Sequence, residues 1–247
     1  MIILSIFFFI TAILYSSVGF GGGSTYLALL LIWDIPYYIF PVIALLCNII
    51  VVSGNSFNYI RAGNLNFKLL VPFLIGSIPL SFIGGTLVIK KEFFEILLFF
   101  VLLIAGLLLL INSKSYDKNL VIKNLHLFTS VLIGSILGLI SGVVGIGGGI
   151  FLSPILFLLK AEKPKIIAST ASLFILINSI SGILGQFTKE IVFDQTIFYW
   201  PLFLVVFIGG ALGNYLNLKI LSNRLLAIIT SLLVIFVSLR LGYNLFI

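Results

Sequence analysis

Long apolar runs, broken at short polar intervals, cover almost the whole 247-residue chain. Stretches such as Ile96 to Ile111 are apolar on every side. They lack both the polar face of a soluble surface helix and the two-residue alternation of a barrel strand. Read by their polar breaks, the first half divides into segments at roughly 2–18, 24–33, 37–60, 67–89 and 92–111. The second half divides at roughly 126–144, 149–159, 165–187, 196–218 and 225–246. The second segment of each half is short. Ten residues rise about 15 Å as a helix, half the thickness of a bilayer's hydrocarbon core, so neither can span alone. The pattern predicts an all-α integral membrane protein with about eight spanning helices and two short half-helices.

Composition agrees. Hydrophobic residues make up 61% of the chain, charged residues 9%, and mean hydropathy is +1.32. A soluble domain carries about 25% charged residues to face water. This chain cannot cover a water-exposed surface, so the lipid bilayer is its expected partner. The net charge of +7 does not predict a nucleic-acid partner, because the 14 Lys and Arg lie mostly between apolar runs, where membrane topology explains them. One cysteine, Cys47, and one histidine, His126, exclude an intrachain disulfide, a thiolate metal cluster and a histidine-rich metal site. No cofactor is expected. His126 reads as interfacial, Cys47 as a small apolar core residue, and Trp33 and Trp200 as anchors near segment ends. Residues 2–18 lack a basic leader and match a later segment, so they are expected to be a retained helix.

The two halves are related. Gly19-Phe20-Gly21-Gly22-Gly23 recurs as Gly145-Ile146-Gly147-Gly148-Gly149. Each motif leads into a ten-residue apolar stretch, a turn with proline (Pro36, Pro164) and a long apolar segment. Leu46-Cys47-Asn48 then matches Leu176-Ile177-Asn178, and Pro72, Gly84 and Lys90 match Pro201, Gly213 and Lys219. The expected domains are a first repeat at 1–112, a connecting loop at 113–125 and a second repeat at 126–247.

Loop charge predicts the threading. If segments one and two form a hairpin, Arg61, Lys68, Lys114, Lys118, Lys123, Lys160, Lys163, Lys165, Lys219 and Arg224 share one face. Only Lys90, Lys91 and Lys189 lie in loops opposite. A single broken span would divide the basic loop residues almost evenly, so the positive-inside rule favours the hairpin and places both termini outside. The odd crossing number turns the second half upside-down. Inverted repeats recur in secondary transporters, with the site at the midplane.

In that arrangement each glycine turn lies near mid-bilayer, where non-helical backbone must be shielded by protein or line a polar cavity. Helices follow at Ser24-Thr25 and Gly149-Ile150, so their free N–H groups and positive dipole ends face the turns and suit an anion. The candidate substrate-binding set is Gly21, Gly22, Gly23, Ser24, Thr25, Asn48, Gly147, Gly148, Gly149, Ser169, Thr170 and Asn178. Against it stand plainer readings. Glycines also let helices pack closely, as the spacing of Gly134, Gly138 and Gly142 predicts. Buried asparagines also bond between helices, and hydroxyls also bond their own backbone. Asp34, Glu92, Glu95, Asp117, Glu162, Glu190 and Asp194 all fall in or beside loops, so no carboxylate is placed for a mid-membrane proton relay. Export of an anion is favoured by about 2.3 kcal/mol per charge per 100 mV without such an acid.

The paired glycine motifs, with Ser153-Pro154 and Ala168-Ser169-Thr170-Ala171-Ser172 downstream, resemble the sulfite exporter TauE/SafE family over nearly the whole chain. The resemblance implies a multi-pass cell-membrane transporter of sulfite, sulfoacetate or a related sulfur-containing anion. Leu27-Ala28 stands where the second half has Ser153-Pro154, and the first half lacks the Ser-Thr pattern. The leading expectation is a carrier of a small, sulfur-containing oxyanion or organosulfonate, alternating access around midplane glycine turns. The alternatives are an anion channel on the same scaffold or a non-transporting integral membrane protein. An enzyme is not expected, since one histidine, one cysteine and no buried acid pair leave few catalytic arrangements. Substrate, direction and oligomeric state are not encoded in these patterns.

Overall fold

The computed structural model describes residues 1–17, 19–33, 35–112, 125–189 and 195–216, with isolated helical positions between 228 and 245. The described part of the chain is helical throughout its regular structure. Nine helices are numbered here: α1 (Ile2–Ser16), α2 (Gly23–Ile32), α3 (Phe40–Arg61), α4 (Phe67–Thr86), α5 (Lys91–Asn112), α6 (Leu127–Val144), α7 (Gly149–Leu158), α8 (Pro164–Gln186) and α9 (Trp200–Leu216). A 3-10 turn, Tyr37–Ile39, extends α3 backwards. Four helical stretches are long and apolar enough to cross a membrane: Tyr37–Arg61, Phe67–Thr86, Leu127–Val144 and Lys165–Gln186. Most of loop 113–125 lies outside the described residues, as do Asp34, Asp117, Glu190 and Asp194 and most of segment 225–246.

The short helices appear where the sequence predicts them. Both α2 and α7 are ten residues long, and nearly every residue in them is buried. Each starts on a glycine in the left-handed region, Gly22 at φ 87° and Gly148 at φ 74°. An L side chain there is strained, which is why glycine fixes the start.

Residue pairs fix helix directions. Along α4 and α6, a Cβ placed on Gly134, Gly138 or Gly142 would fall 2.2, 2.4 and 2.0 Å from the carbonyl oxygens of Phe73, Ser77 and Ser81. The three glycines share one helix face, and only a bare backbone allows this approach. The close-packing expectation for them is borne out, and the partner helix α4 runs parallel to α6. On the other side, Gly209 and Gly213 of α9 pack against Phe9 and Ile13 of α1, again in parallel. Ser16 Oγ donates to Gly210 O at 2.7 Å, and Asn58 Nδ2 to Asn214 Oδ1 at 2.7 Å, so α3 also runs with α1 and α9.

Helices α1 and α3 therefore point the same way, and α2 doubles back between them. This is the hairpin threading expected from the loop charges. A single broken span would have made α1 and α3 antiparallel. Across the centre, Leu45 approaches Gly182 and Ser56 Oγ meets Ser172 Oγ at 3.2 Å, so α3 and α8 are antiparallel.

Asn66 Nδ2 donates to Glu162 Oε1 at 3.1 Å, while Lys189 Nζ donates to Leu87 O at 2.7 Å. Helices α4 and α8 are thus parallel. The loops carrying Arg61, Lys68, Lys160, Lys163 and Lys165 lie at one end of the bundle, and Lys90, Lys91 and Lys189 lie at the other.

The polarity of the bundle is that of a lipid-embedded protein. Ile75, Phe82, Ile104, Ile136 and Phe207 are exposed on its outside, whereas Ser77, Ser81, Ser141, Asn48 and Asn178 are fully buried. Cys47 is a buried free thiol, as expected. Trp33 and Trp200 stand at helix ends, and His126 precedes the first residue of α6. Two boundaries differ from expectation. Segment 67–89 ends at Thr86, leaving Leu87–Lys90 non-helical, and segment 196–218 has a helical piece and a turn before α9 begins at Trp200. Both extra stretches are apolar, so hydropathy alone joins them to the helix.

Candidate functional site

The two glycine turns meet at one point. Asn48, near the middle of the 25-residue stretch Tyr37–Arg61, projects between them. A Cβ on Gly21 would lie 2.4 Å from Asn48 Oδ1, one on Gly23 2.7 Å from Asn48 Nδ2, and one on Gly147 2.8 Å from the same nitrogen. Asn48 Nδ2 donates to Ile146 O at 3.0 Å, tying α3 of the first half to the turn of the second. Gly23 itself lies against Ile146 O. The starts of α2 and α7 are therefore brought together around one side chain.

From the opposite side comes Ile175 of α8, also near the middle of its helix. A Cβ on Gly21, Gly147 or Gly149 would fall 3.2, 2.8 and 2.3 Å from Ile175 side-chain carbons. Ile175 thus touches both turns as Asn48 does. One turn later on α8, Ser179 Oγ would lie 3.1 Å from a Cβ on Gly147.

This corrects the sequence match. Asn178 does not occupy the place equivalent to Asn48; Ile175 does. The Asn178 amide donates instead to Phe174 O, 2.8 Å away in its own helix. Three positions along a helix move a side chain about 4.5 Å along the axis and about 60° around it, which carries Asn178 past the turns that Ile175 touches.

The other expected residues divide. Gly22 and Gly148 cap the short helices, and a Cβ on Gly22 would meet Thr11, Tyr15 and Tyr26 rather than Asn48. Thr25 Oγ1 is engaged by Tyr15 OH at 2.7 Å, a bond that joins α1 to α2. Ser24 is buried in the first turn of α2, its hydroxyl without a partner among the described residues. Ser169 and Thr170 are also fully buried, their hydroxyls likewise without a partner among the described residues, but they lie earlier on α8 than the residues touching the turns. Ile175, Ser179 and Tyr59, which packs on Gly19, are not singled out by the sequence patterns.

Chemically, the side chains at the centre are buried and uncharged. Asn48 and Ser179 have no exposed surface, and Asn48 Oδ1 and Ser179 Oγ have no hydrogen-bond partner among the described residues. Buried polar atoms are ordinarily satisfied, so such orphans mark a place for a further partner. In α2 the first amides bonded within the helix are those of Thr25 and Tyr26, to Gly22 O; in α7 they are those of Phe151 and Leu152, to Gly148 O. The amides before them are the ones a helix leaves without its own acceptors, and they carry the positive end of its dipole. Two such ends around a hydroxyl and an amide favour an anion. The unpaired acceptor, Asn48 Oδ1, suits a proton carried by that anion or by a water.

Comparison with known proteins agrees in class. The profile of the sulfite exporter TauE/SafE family matches residues 4–241. A probable membrane transporter protein of Sinorhizobium fredii is 26% identical over 241 residues, covering 96% of each chain. One of Methanocaldococcus jannaschii is 30% identical over 241 residues, covering 91% of this chain and 89% of the relative. A third, of Bacillus subtilis, is 22% identical and covers 93% and 92%. No solved structure matches. With a full-length profile match and relatives that are themselves named as membrane transporters, the chain belongs to the sulfite exporter TauE/SafE family of multi-pass membrane proteins.

Proposed function

We propose that the protein is a carrier for a small oxyanion, sulfur-containing as the family name suggests, which binds where the two glycine turns converge. The observation that carries this reading is the meeting of both turns, and of the starts of α2 and α7, on Asn48. Among the described residues no acidic side chain lies in contact with that centre. Complete burial of Asn48 favours a carrier with an enclosed centre over an open anion channel.

Alternating access would follow from an inverted repeat, 1–112 against 126–247 joined by 113–125. The exchanged packing supports it: α6 lies on α4 as α1 lies on α9, and the matching helices α3 and α8 are antiparallel. In such designs the halves rock about a shared midplane site. The basic loops group at one end of the bundle, which by the positive-inside rule is cytoplasmic, with both termini outside. No step calls for a catalytic residue or cofactor.

The test is flux of radiolabelled sulfite, sulfate and simple sulfonates in proteoliposomes with an imposed membrane potential. Saturable, potential-sensitive movement of one of these anions is the expected result. Conductance that never saturates would replace the carrier with a channel. No flux of any of them, from protein shown to be folded, would overturn the reading.

A further inference from the structure

Beyond the glycine centre, at the bundle end where α4 and α8 finish, a cavity of about 70 Å³ opens beside Lys189. At roughly 10–15 Å³ per water it holds on the order of five waters, or one small oxyanion. Its walls include Tyr37, Tyr38, Pro41, Phe94, Val143 and Gln186. The non-helical Leu87–Ile89 closes one side.

Lys189 is held over this space. Its ammonium donates to Leu87 O at 2.7 Å and to Gln186 Oε1 at 3.0 Å. Two of its three protons are thereby used, both on neutral acceptors, and a third remains. Gln186 is fixed in turn by its own Nε2, which donates to Gly142 O at 2.8 Å. Among the described residues no carboxylate lines the cavity; Tyr37 and Tyr38 are its only other titratable groups. Pro41 from α3, Val143 from α6, Phe94 from α5 and the Leu87–Ile89 link present nothing that ionises. A half-buried ammonium whose partners among the described residues are carbonyl oxygens alone is a charge that favours an anion.

The cavity also lies beside the second glycine turn. Pro41 and Val143 form part of its wall, and Pro41 packs on Gly145, where the second glycine turn begins. Along α8, Ile175, Ser179 and Gln186 follow at four and seven residues, one continuous face that ends beside Lys189.

We propose that the Lys189 cavity is a second anion site, a vestibule that binds the oxyanion before or after it occupies the glycine centre. Its place in a transport cycle rests on the carrier reading, but its binding of an anion does not. Burial pushes the Lys189 ammonium down to about 8, so the site is charged at neutral pH and empties as pH rises through that value. A bound anion within about 4–6 Å raises a lysine's pKa by one to three units. Each unit corresponds to tenfold in anion affinity.

The experiment is the rate of Lys189 acetylation by acetic anhydride, read by mass spectrometry in detergent across pH 6 to 10 on the order of unit steps. The probes are sulfate and methanesulfonate, with gluconate as the ionic-strength control. Without probe, Lys189 should react with a midpoint near 8. With sulfate or methanesulfonate the midpoint should rise and the rate below it fall about tenfold or more. In proteoliposomes K189Q should cut flux at low anion concentration by about tenfold. Flux that saturates in the wild type while neither anion protects Lys189 would overturn the vestibule and leave the carrier standing. Protection without flux would support the vestibule and overturn the carrier. Neither protection nor flux would overturn both.

Discussion

Gly147→Ala and Gly63→Ala form a matched pair that separates backbone strain from loss of the site. Both glycines have positive φ, 80° and 68°. An L residue in either place costs about 1–2 kcal/mol of backbone energy. At Gly63 none of the described residues lies within 4 Å of the added methyl, so strain is the expected effect. At Gly147 the methyl would sit 2.8 Å from Asn48 Nδ2, 2.8 Å from Ile175 Cγ2 and 3.1 Å from Ser179 Oγ. Carbon contacts settle at about 3.5–4.0 Å, so these neighbours must retreat by up to ~1 Å. Such overpacking typically adds about 1–3 kcal/mol. Gly63→Ala should therefore lower stability by about 1–2 kcal/mol and Gly147→Ala by about 2–5 kcal/mol. Both can be measured by thermal unfolding of purified protein.

Transport should divide more sharply. Gly63→Ala should keep flux within about twofold, since it reaches no part of the centre. Gly147→Ala places its methyl where the substrate would sit and should reduce flux by tenfold or more, a rise of at least ~1.4 kcal/mol in the barrier. The comparison is made in proteoliposomes at a temperature where both variants are folded. Gly147→Ala protein that unfolds at its predicted temperature but carries anion like the wild type would refute the placement of substrate at the turns.

Three further outcomes follow from the same contacts. Asn48→Leu removes the bond to Ile146 O and leaves that carbonyl unpaired, at about 1–3 kcal/mol, and should abolish flux; Asn178→Leu, whose amide bonds only its own helix, should retain it. Equal flux from the two variants would show that the turns do not depend on Asn48. Gly142→Ala would bring a methyl 2.0 Å from Ser81 O and should force α4 and α6 apart, lowering the unfolding temperature more than Gly63→Ala does. An unchanged transition would deny that this contact is tight. Gly22→Leu and Gly148→Leu, at the left-handed starts of α2 and α7, should insert into membranes yet fail to transport, checked by membrane fractionation and flux; normal flux from both would remove the glycine turns from the mechanism.

The register of the site shows where sequence reasoning stops. Asn48 follows Gly23 by 25 residues, Ile175 follows Gly149 by 26 and Asn178 by 29. Matching by residue type selects the two asparagines, because an asparagine in an apolar run is conspicuous and an isoleucine is not. The loops between glycine motif and long helix differ in length, and each residue of slippage rotates a helical side chain by about 100°. The three-residue difference leaves the two side chains about 60° and about 4.5 Å apart, so identity of type misassigns the position along the helix. Ser179, one turn past Ile175, is hidden among other serines for the same reason.

Sequence alone determined the class and the segmentation: so little charge cannot clothe a surface in water, and ten apolar residues cannot cross a bilayer. It also determined the duplicated glycine turns and the hairpin threading, since loop charge and motif order are local properties. What only the tertiary structure decided is that the two turns, 126 residues apart, meet on Asn48 and Ile175, and that Lys189 leans over a cavity formed by the end of α4. Both depend on how helices rotate and slide against one another. Those choices are made by glycine faces packing to backbone contact, at distances no pattern along the chain specifies.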